Sequence, residues 1–420
     1  MKTNYKRLVT AVIIGYTFLS VALLTPALVL LSVRVINLDP ENYTTTFGLC
    51  SAFGTVFAIF GPPIGGALGD RTRLAFGRRK TWLVIGGVLG AIGMLLMGLS
   101  HSILYVIIGW IIVQFFYNIA GASFAGLMPD QVPVSKRASY SGLIGIVQPL
   151  GVLIGMILAA LLNKDYPAFL WILLAVMGIA GPVITCLLIR DTPANPVPHA
   201  KKSLIRTLSS IYPSPRKYPN YTKAIFLKIF VLMGYGSTAY LTIMLAKRLG
   251  MSGDEAGHVV SLINIAALFF TAMMSIVGGI LSDKFKKQRP FICMGAIFII
   301  IGLLFDMMAT SIPIVVIGSV MVALGFGLFN SSDAALVMRV LPNMDNAGKD
   351  VGIMASANNL QGVLIPMLAP MLLGIGSWYA FFGGVSIFVI LGIIILYTIP
   401  EDPRYKASLE EQTIKEVIVK

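Results

Sequence analysis

Charge is what this sequence has least of. Only 12% of its 420 residues are Asp, Glu, Lys or Arg, and 57% are hydrophobic. A soluble domain carries about 25% charge. A long chain with half that amount cannot present a water-solvated surface, so most of it must be solvated by lipid. Histidine and cysteine are scarce as well, with three copies each. Cys50, Cys186 and Cys293 fall inside or at the ends of apolar runs, with no disulfide framework and no metal-ligand spacing, so they read as small buried hydrophobes. His101 and His258 fall near loops and His199 in a polar stretch. No His/Cys/acid cluster and no nucleophile–base set can be assembled, which argues against an enzyme; no metal and no organic cofactor is expected. Acids are outnumbered 18 to 32, a net charge of +14. The cations sit in short clusters between apolar runs rather than along one stripe, so loop topology explains them without nucleic acid.

What is there is apolar length. Twelve runs can cross about 30 Å of hydrocarbon at 1.5 Å per residue: 8–33, 46–69, 81–99, 103–128, 139–163 and 168–190, then 223–246, 256–281, 291–309, 313–338, 351–374 and 378–399. The first run follows a basic start but continues to about Ser32, too long for a signal-peptide core, and is read as a retained helix. With the N-terminus in the cytoplasm, 28 of the 32 Lys and Arg lie inside, and only Arg34, Lys164, Lys247 and Arg248 lie outside. Both termini are therefore expected to be cytoplasmic. Residues 1–190 form a first six-helix bundle and 223–400 a second. The Pro-, Ser- and cation-rich segment 191–222 is a cytoplasmic linker, and 401–420 a polar cytoplasmic tail. The fold class is an all-α polytopic membrane protein, twelve transmembrane helices in two pseudo-symmetric bundles.

The halves repeat. GGALGDRTRLAFGRRK at 65–80 returns as GGILSDKFKKQRP at 278–290, so that Asp283 answers Asp70 at an offset of 213. Pro129 and Pro342 stand at the same offset in the loops after spans 4 and 10. Two six-span halves in parallel repeat build a transporter with one central site, each half rocking against the other.

These motifs resemble the major facilitator superfamily, and within it the sucrose-transporter and glycoside–pentoside–hexuronide:cation symporter group. GDRTRLAFGRRKTW is similar to that group's SDRTRSRFGRRRPW, PDQVPVSKRASYSG to PDxVPxxxRGxxSG, and SSDAALVMRVLPNMDNAGKDVGIM to xVDxALxxxVLPxxxxxGKDLGxx. The resemblance covers essentially the whole chain. It implies secondary active transport of a sugar with a proton or Na+. Span 2 has no ionisable residue, unlike the melibiose-permease branch, which points away from a Na+ site of that type; Ala138 replaces the group's Gly in the third motif. By the resemblance, Asp70, Arg71, Gly77, Arg78 and Arg79 hold an inner gate shut when the outer side is open. Asp283 and Arg289 do the same in the second half, with Lys349 and Asp350 at the start of span 11. Arg73 and Lys80 read as topology markers. Asp70 is singled out because an acid among inner-side cations serves no positive-inside purpose, and it suits a helix N-terminus and an Arg.

Burying a charge in lipid is expensive and usually functional. Asp306 and Asp333 are the ionisable residues read within spans; no Lys or Arg is read mid-span. Asp306, close to the outer end of span 9, is expected to be interfacial and solvated. Asp333 lies roughly 13 Å up span 10 from Pro342, and matches the acid of the group's span-10 pattern. It is the candidate proton carrier or sugar-hydroxyl acceptor, against a structural pairing with Arg339 or a helix terminus. The candidate substrate residues are the mid-span amides, phenols and hydroxyls: Tyr16 and Ser20 (span 1), Gln114, Tyr117 and Asn118 (span 4), Gln148 (span 5), Tyr235 (span 7), Asn264 (span 8), Asn330 (span 10), and Asn358, Asn359 and Gln361 (span 11). Gln114, Tyr117, Asn118 and Gly121 share one helical face. Amides bracket vicinal hydroxyls and Tyr rings pack on pyranose faces, although interhelical hydrogen bonding uses the same residues. The set suits a neutral, hydroxyl-rich solute better than an anion. The expectation is a proton-coupled sugar symporter, with H+ as its coupling ion, acting as a monomer in a bacterial cytoplasmic membrane. The alternative is a drug or metabolite exporter, an H+ antiporter, of the same fold. A membrane sensor or scaffold is disfavoured because no soluble signalling domain is read.

Overall fold

The computed structural model describes residues 3–133, 137–193, 214–285, 287–341 and 347–400. Its first half holds α1 (Tyr5–Leu38), α2 (Tyr43–Arg71), α3 (Arg78–Leu99), α4 (Ile103–Gln131), α5 (Arg137–Leu162) and α6 (Pro167–Leu188). The second holds α7 (Pro219–Leu249), α8 (Gly253–Phe285), α9 (Arg289–Met308) and α10 (Ile312–Val340). A last helical run, Ala347–Thr398, breaks at Gly376 and at Ser377, whose φ is 61°. It therefore supplies two spans, α11 (347–375) and α12 (378–398). Among the described residues, these twelve helices match the twelve apolar runs.

The elements start and stop for local reasons. Asn4 caps α1 by accepting from the Lys6 amide at 3.0 Å. Pro167, Pro219, Pro290 and Pro313 occupy the first two positions of α6, α7, α9 and α10, where a missing N–H costs nothing. Gly250 closes α7 in the left-handed conformation, φ 68°.

The internal repeat is visible in the packing. Gly93 and Gly109 bring α3 against α4 so closely that a Cβ on Gly93 would lie 2.8 Å from the Gly109 carbonyl oxygen. Gly302 and Gly318 do the same for α9 and α10, at 2.5 Å, and both glycines sit 209 positions further on. Without a hydrophobic drive between helices in lipid, such close backbone approach supplies the dispersion contacts that hold them. The first helix of each half is irregular at matching places. α1 widens into a π turn over Pro26–Leu30, and α7 tightens into a 3₁₀ turn over Ser237–Tyr240, an offset of 211 between their first residues.

The halves meet chiefly through α2 with α11 and α5 with α8. Their contacts cluster at the end away from the basic loops. Asp254 of α8 accepts from Asn37 Nδ2 of α1 at 3.3 Å and from Asn163 Nδ2 beyond α5 at 3.4 Å. His258 Nδ1 meets the Ala160 carbonyl at 2.7 Å, and Phe47 packs edge-on to Tyr240 at 5.0 Å. The closure reaches mid-helix, where Thr55 Oγ1 donates to the Gly362 carbonyl at 2.8 Å. Beyond that point, towards the basic loops, Gly66 faces open space, and Phe60 of α2 and Ile276 and Ile280 of α8 are well exposed. Among the described residues, the halves touch at the far end and at mid-helix, and these basic-end residues of α2 and α8 are exposed.

Candidate functional site

In the first half, α1, α4 and α5 bring Tyr16, Ser20, Asn118, Gly121 and Gln148 around one small cleft of about 40 Å³, floored by leucines of α1. The Tyr16 ring stacks on Phe124, 5.1 Å between centroids, and its hydroxyl accepts from Gln148 Nε2 at 3.3 Å. A Cβ on Gly151 would lie 2.6 Å from the Ser20 Cβ, so that glycine lets α5 close on α1 and bring Gln148 to Tyr16. Asn118 donates to its own helix, to the Gln114 carbonyl at 2.6 Å and to Gln114 Oε1 at 3.2 Å. Gln114 therefore orients Asn118. Tyr117 backs the cleft but belongs to the core: it is fully buried, seated between Gly90 of α3 and Gly178 of α6, and its hydroxyl has no partner among the described residues.

The candidates of the second half are more dispersed. Tyr235 lies flat on Phe326 at 3.9 Å, and Gln361 packs against Gly236 of α7. Asn330 and Asn358 are exposed. Asn358 lies one turn from Gly362 on the face of α11 that meets α2. Asn264 places its amide 3.6 Å from Met156 Sδ across the halves, which makes it part of the closure. The side chains of Asn359, Asp283, Lys349 and Asp350 lie outside the described residues.

Three readings from the sequence meet a different geometry within the spans. Asp333 pairs with neither Arg339 nor a helix terminus: its Oδ2 lies 2.7 Å from Lys228 Nζ, with side-chain exposures of 4% and 10%. Arg339 instead donates to Gln288 Oε1 and to the Pro400 carbonyl. A cation does lie within a span. Lys228, which charge counting assigns to the linker, stands nine residues into α7, about 14 Å along it. The signal was present, since Pro219 starts the helix and Ile225, Leu227 and Ile229 flank the lysine. Asp306 is likewise not solvated. It is fully buried against Gly318, and neither carboxylate oxygen has a partner among the described residues, because α9 packs its far end directly onto α10.

At the basic end Asp70 and Arg79 stand in a larger cluster. Arg79 Nη2 donates to Asp70 at 2.9 Å and its Nε to Asp130 at 2.8 Å, and Arg78 also pairs with Asp130. Gly69 of α2 and Gly126 of α4 clear the channel for the Arg79 side chain: a Cβ there would lie 2.6 Å from Nη1 and 2.5 Å from Cζ. Asp191, beyond α6, caps α3 by accepting from the Arg79 and Lys80 amides at 2.6 and 3.0 Å. Gly77 sits against that carboxylate at φ 111°. Neither Asp130 nor Asp191 is legible as a site residue in the sequence, although Asp130 lies in the motif PDQVPVSKRASYSG. Arg71 is exposed, and Arg289 donates to the Ile399 carbonyl. These bonds tie α2, α3, α4 and the end of α6 together within the first half.

Two sets of six helices that meet at one end beside a polar cleft are the architecture of a membrane transporter. The chain belongs to the Major Facilitator Superfamily, whose family profile matches residues 10–305 and 224–420. It is similar to the class H tetracycline resistance protein of Pasteurella multocida, 24% identical over 343 residues, covering 78% of this chain and 79% of that one. Among solved structures it superposes on a D-xylose-proton symporter with TM-score 0.71 at 15% identity, over 95% of this chain and 99% of that one. It also superposes on the inward-facing, unoccupied structure of a bacterial homologue of the human lysosomal transporter Spinster, with TM-score 0.67 at 14% identity, over 94% and 96%. These likenesses establish the fold.

Proposed function

We propose that the protein is a proton-coupled symporter of a small neutral hydroxylated solute, a sugar or glycoside, of the kind moved by the sucrose-transporter and glycoside–pentoside–hexuronide group. The observation that carries this reading is the cleft of Tyr16, Ser20, Asn118 and Gln148, whose lining is hydroxyl, amide and aliphatic, with no charged side chain. Neutral paired donors and acceptors suit vicinal hydroxyls and give an anion or cation no counter-charge. Lys228 and Asp333 supply the coupling element. A proton placed on Asp333 removes the counter-charge of Lys228 and loosens α7 from α10, so proton uptake would be linked to a rearrangement of the second half. In this reading both termini and the basic end face the cytoplasm, and the Asp70–Arg79–Asp130 cluster moves as part of the inner gate.

The test is uptake by proteoliposomes of a panel of mono- and disaccharides, with and without an inward proton gradient. The expected result is saturable uptake of at least one sugar, accumulated only with the gradient. Asp333→Asn should abolish accumulation and leave exchange. Because that change strands Lys228, D333N/K228M is measured beside it. Gradient-independent accumulation would remove Asp333 from the coupling role. A second reading, a drug or metabolite exporter working as an H+ antiporter, is favoured by the tetracycline resistance relative. Uptake of no sugar, with proton-driven movement of an amphiphilic drug into everted vesicles, would establish it instead.

A further inference from the structure

The cluster that the transport reading leaves unused lies at the far end of the second half. There the last turn of α7, the end of α11 and the start of α12 enclose a cavity of about 330 Å³, lined by Lys247, Arg248, Leu373, Ser377, Trp378 and Tyr379. The lining carries two cations and no acid; the nearby Asp306 carboxyl packs onto Gly318 of α10 instead. Cations are rare at this end of the molecule. Lys247 and Arg248 are two of four that the sequence places on that side, and they stand side by side.

The two cations differ in state. Arg248 is fixed, with Nη1 donating to the Met307 carbonyl at 2.8 Å and to the Asp306 carbonyl at 3.4 Å, and its guanidinium stacked over the Tyr379 ring at 5.3 Å. Those contacts occupy one nitrogen and leave other donors of the five-donor fork for a ligand, in a geometry already ordered. Lys247 is exposed and makes no hydrogen bond or ion pair among the described residues. Ser377 adds a hydroxyl, and Trp378 and Tyr379 add rings with one polar edge. The surroundings are those of a lipid–water boundary: Ile375 is 81% exposed, Tyr379 56% and Met371 65%, an apolar skirt beside a cationic cavity.

We propose that this cavity binds a phosphate-bearing anion through Lys247 and Arg248, either the headgroup of an anionic phospholipid or a soluble phosphate ester. A helical turn ending in two cations can serve its own macrodipole. That role explains neither the cavity nor the unpartnered Lys247, and a phosphate monoanion or dianion answers both. The site is separate from the central cleft, and the proposal does not depend on which solute is carried.

Native mass spectrometry tests it on the full-length protein released from nanodiscs. The discs contain phosphatidylglycerol or phosphatidylcholine of identical acyl chains. A parallel arm titrates glycerol phosphate against protein in phosphatidylcholine discs. The expected result is preferential retention of phosphatidylglycerol or saturable binding of glycerol phosphate. Lys247→Glu should weaken whichever is seen at least about fivefold, from the share one cation contributes beside an anionic headgroup. Lys164→Glu, a cation at the same end but off this cavity, should leave it unchanged. Saturable glycerol phosphate binding without preferential retention of phosphatidylglycerol identifies the free ester as the ligand, and retention of the lipid alone identifies the headgroup. Equal retention of both lipids with no glycerol phosphate binding would overturn the proposal, as would equal losses in the two variants. Lys247 is exposed, so its replacement does not disturb packing.

Discussion

The Lys228–Asp333 pair makes a quantitative prediction. Lys228→Met removes the cation and leaves a carboxylate whose side chain is 4% exposed with its 2.7 Å partner gone. Breaking a buried pair from one side costs about 3–5 kcal/mol, whereas an exposed pair contributes about 0–1 kcal/mol. The burial of both partners places this pair in the first class. Asp333→Leu, which strands the ammonium, should cost a similar amount. The double variant K228M/D333L replaces two buried charges by apolar groups of similar reach and should recover most of the loss, giving a coupling energy of about 6–10 kcal/mol in a double-mutant cycle. The assay is unfolding in mixed detergent–SDS micelles, followed by tryptophan fluorescence, with proton-driven uptake measured on the same variants in proteoliposomes. The double variant should be as stable as the parent and unable to accumulate solute. A K228M variant within about 1 kcal/mol of the parent, or a coupling energy near zero, would refute the claim that the two charges depend on each other.

Three further predictions concern the rest of the molecule. Gly77→Ala puts a side chain at φ 111°, with its Cβ 2.6 Å from Asp191 Oδ2, and should cost about 1–3 kcal/mol in the same unfolding assay while slowing transport. Asp254→Ala removes both amide bonds that clasp the far end; a cysteine placed at Asn264, in a background with the native cysteines replaced, should then react roughly tenfold faster with an impermeant maleimide. Gln148→Ala should raise KM for the transported solute about fivefold with little change in kcat, the share of one neutral hydrogen bond.

Lipid solvation makes the fold of such a chain easy to read. Each span must be long and apolar, so run length and loop charge locate the helices, and the internal repeat locates the halves. The polar site is harder, because hydrogen-bonding residues serve packing and binding alike. Tyr117 shares the helical face of Asn118, yet it fills the gap left by Gly90 and Gly178, a fact held in two other helices. Lys228 was hidden by its neighbours: near a basic linker a lysine looks like a loop residue until the helix start at Pro219 is fixed. Asp306 stands near a helix end, a place that suggests exposure, but Gly318 on α10 covers it. Asp130 and Asp191 act through arginines and amides more than fifty positions away, and no local pattern reports such partners.

The π turn of α1 and the 3₁₀ turn of α7 bear on how the closed end opens. An over-wide and an over-tight turn are both places where the hydrogen-bond ladder is already off its α register, so bending there disrupts few regular bonds. Beyond them lie two short levers, Leu31–Leu38 and Leu241–Leu249. The first carries Asn37 of the clasp, and the second carries Lys247 and Arg248 at the lipid boundary. Opening the far end then requires a swing of two lever arms of eight and nine residues, and the long stems of α1 and α7 keep their packing. An anion seated on the second lever would add load to one arm alone, so the two halves of a symmetric fold would not open with equal ease.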